Sequence, residues 1–173
     1  PQSVIAELDI LVGQYGIRNI KFADELFILN NSHVNSICDL IIERGYDLNI
    51  WAYARVDTLQ DNMLEKLRKA GFRWLAIGIE SASNRVRDDA DKGVNSDDII
   101  SAVNRNREHG IYIGANYMFG LPEDDVDSME ETLALAMELN CEYANFSAVM
   151  AYPGSQLYDQ ALREGWKLPQ NWG

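Results

Sequence analysis

Acidic and small residues close three of the strand-like runs in this sequence. The three segments are residues 22–25, 78–81 and 118–122, and a helical pattern separates each from the next. In a barrel or open sheet of parallel strands, the C-terminal strand ends and the loops after them form the reactive face. We therefore predict one site that is built from distant parts of the chain.

The side chains at these strand ends suit a ligand with an amino-acid end and a nucleoside end. The carboxylates of Asp24 and Glu25 suit an ammonium group or a pair of hydroxyls, and Glu80 with Ser81 could bind a ribose diol. Arg55 ends another strand-like run and could bind a carboxylate. The glycine of the third segment leaves room for a flat ring against the backbone. A zwitterionic amino acid joined to a nucleoside would need such a set.

Each of these residues also has a structural interpretation, which the sequence leaves open. Asp24 fits an ordinary helix N-cap, and Glu80 fits an ion pair with Arg55 or Arg73. Ion-pair networks of this kind also occupy barrel rims. Three further aspartates resemble a metal cluster but are more typical of a solvated loop, which we favour: Asp88, Asp89 and Asp91.

The composition indicates one acidic, soluble domain. The 173 residues suffice for one core and are too few to argue for two, so we predict a single domain over residues 1–173. A formal net charge of −12 disfavours nucleic acid and anionic membranes as partners. Cys38 and Cys141 lack metal-ligand spacing, so we predict reduced thiols and no metal site within this chain. Reduced thiols are typical of the cytoplasm, so we expect a cytoplasmic protein. No apolar run approaches membrane-span length.

Helical and strand-like patterns alternate along the chain, and glycine stands at several of the turns from helix to strand. This alternation predicts an α/β fold with five parallel strands, whose near-continuous apolar character predicts burial on both faces. The predicted strands cover residues 17–22, 48–53, 74–79, 111–119 and 143–150. The predicted helices cover residues 3–15, 32–45, 60–70, 96–109, 127–139 and 155–164. Because the chain begins on a helix at Pro1-Gln2-Ser3, we expect it to be part of a longer polypeptide that carries a strand before it.

Short strings in the expected order resemble the radical S-adenosylmethionine superfamily over nearly the whole chain. The resemblance is strongest to members with an upstream cobalamin-binding domain, such as the anaerobic magnesium-protoporphyrin monomethyl ester oxidative cyclases and related methylases. The strings are residues 22–27, 51–57, 70–75, 78–81, 109–124 and 152–155.

The resemblance implies a partial (β/α)6 barrel that lacks its first strand and the loop that binds the cluster. It also implies an enzyme that reductively cleaves S-adenosylmethionine at a [4Fe–4S] cluster to a 5′-deoxyadenosyl radical, with cobalamin as a further expected cofactor. The superfamily's Cys-x3-Cys-x2-Cys motif is absent here, so the cluster ligands are expected outside this chain, which alone would be inactive. The implied partners are a small-molecule substrate and a reductant protein.

The resemblance further assigns site residues. Where many members have Gly-Gly-Glu after the second strand, this chain has Ala23-Asp24-Glu25. These three residues are expected near the methionine amine, Arg55 near its carboxylate or the substrate, Glu80 and Ser81 near the ribose and methionine, and Gly120, Met150 and Tyr152 beside the adenine.

Two other functions compete with this one. The first is a lyase or hydrolase on a (β/α)8 barrel with Glu80 and Asp24 as acid and base, although five strands and the lack of a histidine at a strand end argue against it. The second is a non-catalytic, partner-binding domain on the same scaffold. The strand that ends at Phe22 is also expected to present an open edge, through which the chain could self-associate.

Overall fold

The computed structural model describes residues 1–89 and 95–169, which form a parallel sheet with helices between its strands. The strands are β1 (Asn19–Lys21), β2 (Asn49–Ala54), β3 (Phe72–Glu80), β4 (Tyr112–Phe119) and β5 (Tyr143–Ala148). The helices are α1 (Gln2–Gly13), α2 (Asn31–Arg44), α3 (Asp61–Ala70), α4 (Asn84–Asp89), α5 (Ser96–Glu108), α6 (Val126–Leu139) and α7 (Gln156–Glu164). Single turns of 3-10 helix cover Phe27–Leu29 and Val56–Thr58.

Consecutive strands lie side by side in the order β1-β2-β3-β4-β5, and each pair is parallel. Parallel strands joined through helices cross over with a right hand, so the sheet curls in one direction into a half-barrel. The C-terminal ends of all five strands therefore lie along one edge. This confirms the predicted partial barrel of parallel strands.

The two faces of the sheet differ in burial. On β2, Ile50, Ala52 and Ala54 point outward against the helices and are at most 6% exposed. Trp51 and Tyr53 alternate with them, point to the inner face and are only half-buried. The prediction of burial on both faces is therefore wrong for the inner face, because no second layer covers it in the described part of the chain. It is also wrong for β5, which is largely exposed on both faces.

Strand β3 begins two residues earlier than the sequence pattern predicts. Phe72 is fully buried, and its ring centroid lies 5.7 Å from that of Phe22 and 5.3 Å from that of Phe27. This aromatic cluster holds the start of β3 and the loop after β1 in the same core. It thereby anchors the segment after β1, which is one of the three that the sequence analysis singled out.

The N-caps of three helices lie one or two residues before the predicted positions. Asn30 caps α2, and its side-chain oxygen accepts a hydrogen bond from the backbone N–H three residues on, at 3.0 Å. Asn95 caps α5 and Asp125 caps α6, each in a reciprocal capping box with Asp98 and Ser128 respectively. Several cap-forming residues adjoin at each of these starts, so composition alone does not single out the one whose side chain reaches back to the helix.

Strand β1 stands at the edge of the sheet in the described chain, as predicted, and self-association through that edge stays a prediction. None of the helices within residues 1–89 and 95–169 combines the length and the apolar character of a membrane span.

Candidate functional site

A cavity of about 220 Å³ opens at the C-terminal edge of the sheet, and we call it the Glu80 cavity. Its wall combines residues from the loop after β1, the ends of β2 and β3, helix α4 and strand β4. It brings together three of the predicted site residues, Glu25, Arg55 and Glu80. The cavity wall also includes Tyr53, Ala76, Arg87 and Asn116.

Glu80 occupies the last position of β3 in a left-handed backbone conformation, with φ of 65°. The register between β3 and β4 shifts between Gly78 and Glu80, so the strand end is irregular here. A non-glycine residue in this region carries a steric cost of roughly 1–2 kcal/mol. Such strain persists where the surrounding structure imposes it, and it concentrates at ligand sites. The conformation therefore marks Glu80 as the leading ligand-binding candidate in this cavity.

Buried hydroxyl groups hold the residues directly after Glu80. Ser81 is fully buried, and its Oγ lies 3.1 Å from Thr132 Oγ1 on α6. The Thr132 hydroxyl donates to the Ser128 carbonyl at 2.8 Å and accepts from the Ala82 N–H at 2.9 Å, so the Ser81 hydroxyl is the donor in their contact. Ser81 Oγ in turn accepts from the Ser83 N–H at 3.2 Å. The Ser81 side chain thus contacts α6 and its own turn, while Glu80 faces the cavity.

Arg87 also stabilises the turn after Glu80, a role that the sequence analysis did not predict. Its guanidinium is fully buried and donates to the Ser81 carbonyl, to the Asn84 side-chain oxygen, and to Ser96 Oγ at 3.2 Å. It therefore joins the end of β3 to the starts of α4 and α5. In the sequence, nothing distinguishes it from Arg85 two residues earlier, whose side chain is 53% exposed.

Arg55 sits at the junction of β2 with the following 3-10 turn. Its Nε and one terminal nitrogen donate to the two carboxylate oxygens of Asp57, at 3.0 and 2.9 Å. Both residues line the Glu80 cavity and are partly exposed. This bidentate pair orients the guanidinium plane beside the cavity, where it can meet an anionic group.

The three predicted site residues after β1 differ in position. Glu25 lines the Glu80 cavity, whereas Ala23 and Asp24 are exposed and are not part of its wall. The alternative that Asp24 is a helix N-cap is wrong, because Leu26 and Asn30 are the N-caps of the 3-10 turn and of the helix that follow it.

Two of the three residues predicted beside the adenine line a separate cavity of about 330 Å³, the Gly120 cavity, at the ends of β4 and β5. Gly120 and Met150 line it, and the Tyr152 hydroxyl lies 3.6 Å from the Met150 sulfur. Gly120 has φ of 81°, and its N–H donates to Asp124 Oδ2 at 2.9 Å. The predicted residues thus form two groups at one edge of the sheet.

The two cysteines do not suit an iron–sulfur cluster. Cys38 is fully buried on α2 and Cys141 is half-buried before β5, and both are free. Burial raises the pKa of Cys38 to about 12 and that of Cys141 to about 11, so both remain thiols at neutral pH. The thiolate is the metal-binding form. Asp88, Asp89 and Asp91 lie outside the residues whose side chains the structure describes.

We expect Glu80→Gly to be more stable than Glu80→Ala by about 1 kcal/mol. Both variants lose the same carboxylate, but only alanine keeps a Cβ in the left-handed region. Urea unfolding of the two variants measures the difference. Equal stabilities would show that the backbone at this position is relaxed.

Comparisons with known proteins support one family. A family model described as the Radical SAM superfamily matches residues 2–136. An uncharacterized methyltransferase of Pyrococcus horikoshii is 32% identical over 99% of this chain and 37% of its own length. The anaerobic magnesium-protoporphyrin IX monomethyl ester cyclase of Rubrivivax gelatinosus is 27% identical over 92% of this chain and 29% of its own length. The chain thus spans about a third of the length of these relatives.

A solved structure shares the fold. The radical S-adenosylmethionine methyltransferase TsrM from Kitasatospora setae, with cobalamin and a [4Fe-4S] cluster bound, superposes with a TM-score of 0.84. The match covers 98% of this chain and 33% of that chain, at 20% sequence identity. At this identity the similarity establishes the arrangement of strands and helices.

Proposed function

This chain belongs to the radical SAM superfamily, and on that premise we propose that it forms the S-adenosylmethionine-binding part of a radical enzyme. The observation that carries the proposal is the strained Glu80, held at a cavity that also contains Glu25 and Arg55. Two acids and one guanidinium around one cavity match the amine, the carboxylate and the ribose hydroxyls of that molecule.

Each residue has a proposed contact. Glu80 accepts hydrogen bonds from the ribose hydroxyls, and the turn that holds Ser81 keeps the Glu80 carboxylate in place. Arg55, oriented by Asp57, binds the methionine carboxylate or an anionic substrate group. Glu25 and the backbone carbonyls of Ala23 and Asp24 bind the methionine amine. At the neighbouring strand ends, Gly120, Met150 and Tyr152 border the adenine, where the absent side chain of Gly120 admits a flat ring.

The chain's own contribution to the reaction is binding, orientation and exclusion of water. When bound beside this chain, the [4Fe–4S] cluster of the superfamily would supply the electron for reductive cleavage of S-adenosylmethionine. The donor set described above does not fit such a cluster, so we propose that its ligands lie outside this chain. The cobalamin of the TsrM structure suggests that cofactor here too. We further propose a cytoplasmic enzyme that takes a small-molecule substrate and a reductant protein.

Binding of S-adenosylhomocysteine tests the proposal, because this analogue resists reduction. We expect saturable binding by isothermal titration calorimetry and an affinity roughly tenfold lower for Glu80→Gln, since a hydrogen bond to a charged group is worth about 1.5–3 kcal/mol. Glu65→Gln is the matched control, because Glu65 lies on the exposed side of α3 and pairs with Lys69. A chain without measurable binding, or a Glu80→Gln variant with wild-type affinity, would contradict the proposed site.

A further inference from the structure

Aromatic side chains cover part of the inner face of the half-barrel, near the starts of β3, β4 and β5. Trp51 projects from β2 across the sheet and lies on Gly114 of β4, where an added Cβ would stand only 2.8 Å from Trp51 Cη2. Ala76, on the strand between them, is also small. Two small residues on successive strands therefore leave room for the edge of the indole to reach β4.

Other aromatic rings extend this surface. The ring of Trp74 stacks beside Trp51, with centroids 5.3 Å apart and planes 20° apart, and Tyr112 follows at 5.0 Å from Trp74. Tyr143 of β5 approaches the same glycine, with its Cδ1 3.6 Å from the added Cβ. We call these four rings, Trp51, Trp74, Tyr112 and Tyr143, the aromatic floor. Tyr112 is 49% exposed and Tyr143 53% exposed, so the floor is open to a ligand.

Trp51, Trp74 and Tyr143 of this floor line a cavity of about 560 Å³, the inner-face cavity, which carries one uncompensated charge. Glu142 lines it, but its carboxylate accepts from the Ile113 N–H at 2.8 Å and lies 3.9 Å from Arg107 Nε. Lys21 also lines it, with its Nζ 5.0 Å from the centre of the Tyr53 ring. Lys21 makes no ion pair within residues 1–89 and 95–169. The cavity therefore favours an anion.

The inner-face cavity adjoins the Glu80 cavity. Tyr53, Ala76 and Asn116 line both. Asn116 and Asn145 are linked by a hydrogen bond of 3.2 Å, so polar amides stand where the two cavities meet. A molecule on the aromatic floor would thus lie next to one bound at Glu80.

We propose that the inner-face cavity binds the substrate, and that this substrate is a planar conjugated ring system bearing a carboxylate. The ring stacks on the aromatic floor, as offset aromatic pairs do, and the carboxylate pairs with Lys21. The inference rests on the proposed function, which places the reactive nucleoside in the adjoining Glu80 cavity.

Three related probes test ring and charge separately: 2-naphthoate, its neutral amide, and the saturated decahydro-2-naphthoate. On the full chain we expect 2-naphthoate to bind most tightly by calorimetry and to quench tryptophan fluorescence. The amide, without the charge, and the saturated acid, without the flat ring, should each bind at least about fivefold more weakly. Equal affinities for all three probes would overturn the proposal.

Two variants locate the site, each with a matched control. Lys21→Gln should lower the affinity for 2-naphthoate about fivefold and leave that for the amide unchanged, whereas Lys69→Gln on α3 should change neither. Gly114→Ala should displace the Trp51 indole and weaken both probes, whereas Gly13→Ala, where no atom lies within 4 Å of the added Cβ, should not. If Gly114→Ala fails to fold, Trp51→Phe replaces it and should weaken both probes likewise.

Parallel titration with S-adenosylhomocysteine separates the two hypotheses. Binding of the nucleoside without selective binding of 2-naphthoate overturns the substrate inference alone, and loss of nucleoside binding overturns the proposed function. Light scattering identifies the competing occupant: a dimer that Gly114→Ala converts to monomer would show that a second copy covers the aromatic floor, which also overturns the inference.

Discussion

Replacing Arg87 with methionine is expected to lower the free energy of unfolding by about 3–5 kcal/mol. Methionine approximates the length of the side chain but donates no hydrogen bond, so the buried Ser81 carbonyl loses its donor, and the less buried Asn84 side-chain oxygen and Ser96 Oγ each lose a hydrogen bond. A buried polar group left unsatisfied costs about 1–3 kcal/mol, and each of the other two hydrogen bonds contributes about 0.5–1.5 kcal/mol. For a domain of this length, the melting temperature should fall on the order of 10 °C in calorimetry.

Arg85→Met is the matched control on the same helix. Arg85 is 53% exposed and forms ion pairs with Glu123 and Asp125 at 3.5 and 2.8 Å. Exposed pairs of this kind contribute about 0–1 kcal/mol, so this variant should stay close to the wild-type melting temperature. A loss of stability at Arg87 no larger than that at Arg85 would show that the buried guanidinium does not support the strand end.

The order of elements was predictable because most helices and strands have a recognisable apolar pattern. Strands β2, β3 and β4 are largely apolar runs, and the apolar spacing of α2 or α3 matches one buried stripe. Parallel pairing in chain order then follows from the helical crossovers. Strand limits were less certain: β3 extends to Phe72 because an aromatic cluster from another segment packs on it, and local pattern carries no trace of that contact.

The site was predictable only in part, since strand-end position selects residues but not their orientation. The pattern placed Glu25, Arg55 and Glu80 at one edge, and one cavity contains all three. The pattern did not predict that Gly120 and Met150 line a different cavity, because the walls of a cavity depend on loops whose paths the sequence leaves undetermined.

Two features of the site arise from tertiary structure alone. The left-handed backbone at Glu80 occurs at a residue type that rarely adopts it, and Arg87 is buried in a helix that charge pattern would place in solvent. Both depend on the same turn, which α6 closes through Thr132 from about fifty residues further along the chain. The strain at the candidate ligand residue is therefore supported by contacts distant in sequence, and disrupting them tests that dependence.

Thr132→Val is expected to lower the free energy of unfolding by about 2–3 kcal/mol and the affinity for S-adenosylhomocysteine roughly three- to tenfold. Valine keeps the shape of threonine, but the Ala82 N–H and the Ser81 hydroxyl lose their buried acceptor. The turn after Glu80 should then relax toward an ordinary backbone conformation and move the carboxylate. Thr132→Ser keeps the hydroxyl and should lose only about 1 kcal/mol, the value of one buried methyl group, with near wild-type affinity. Urea unfolding and calorimetry at a temperature where both variants are folded separate the two effects. A destabilised Thr132→Val that binds the nucleoside as tightly as wild type would show that the buried network supports the fold without positioning Glu80.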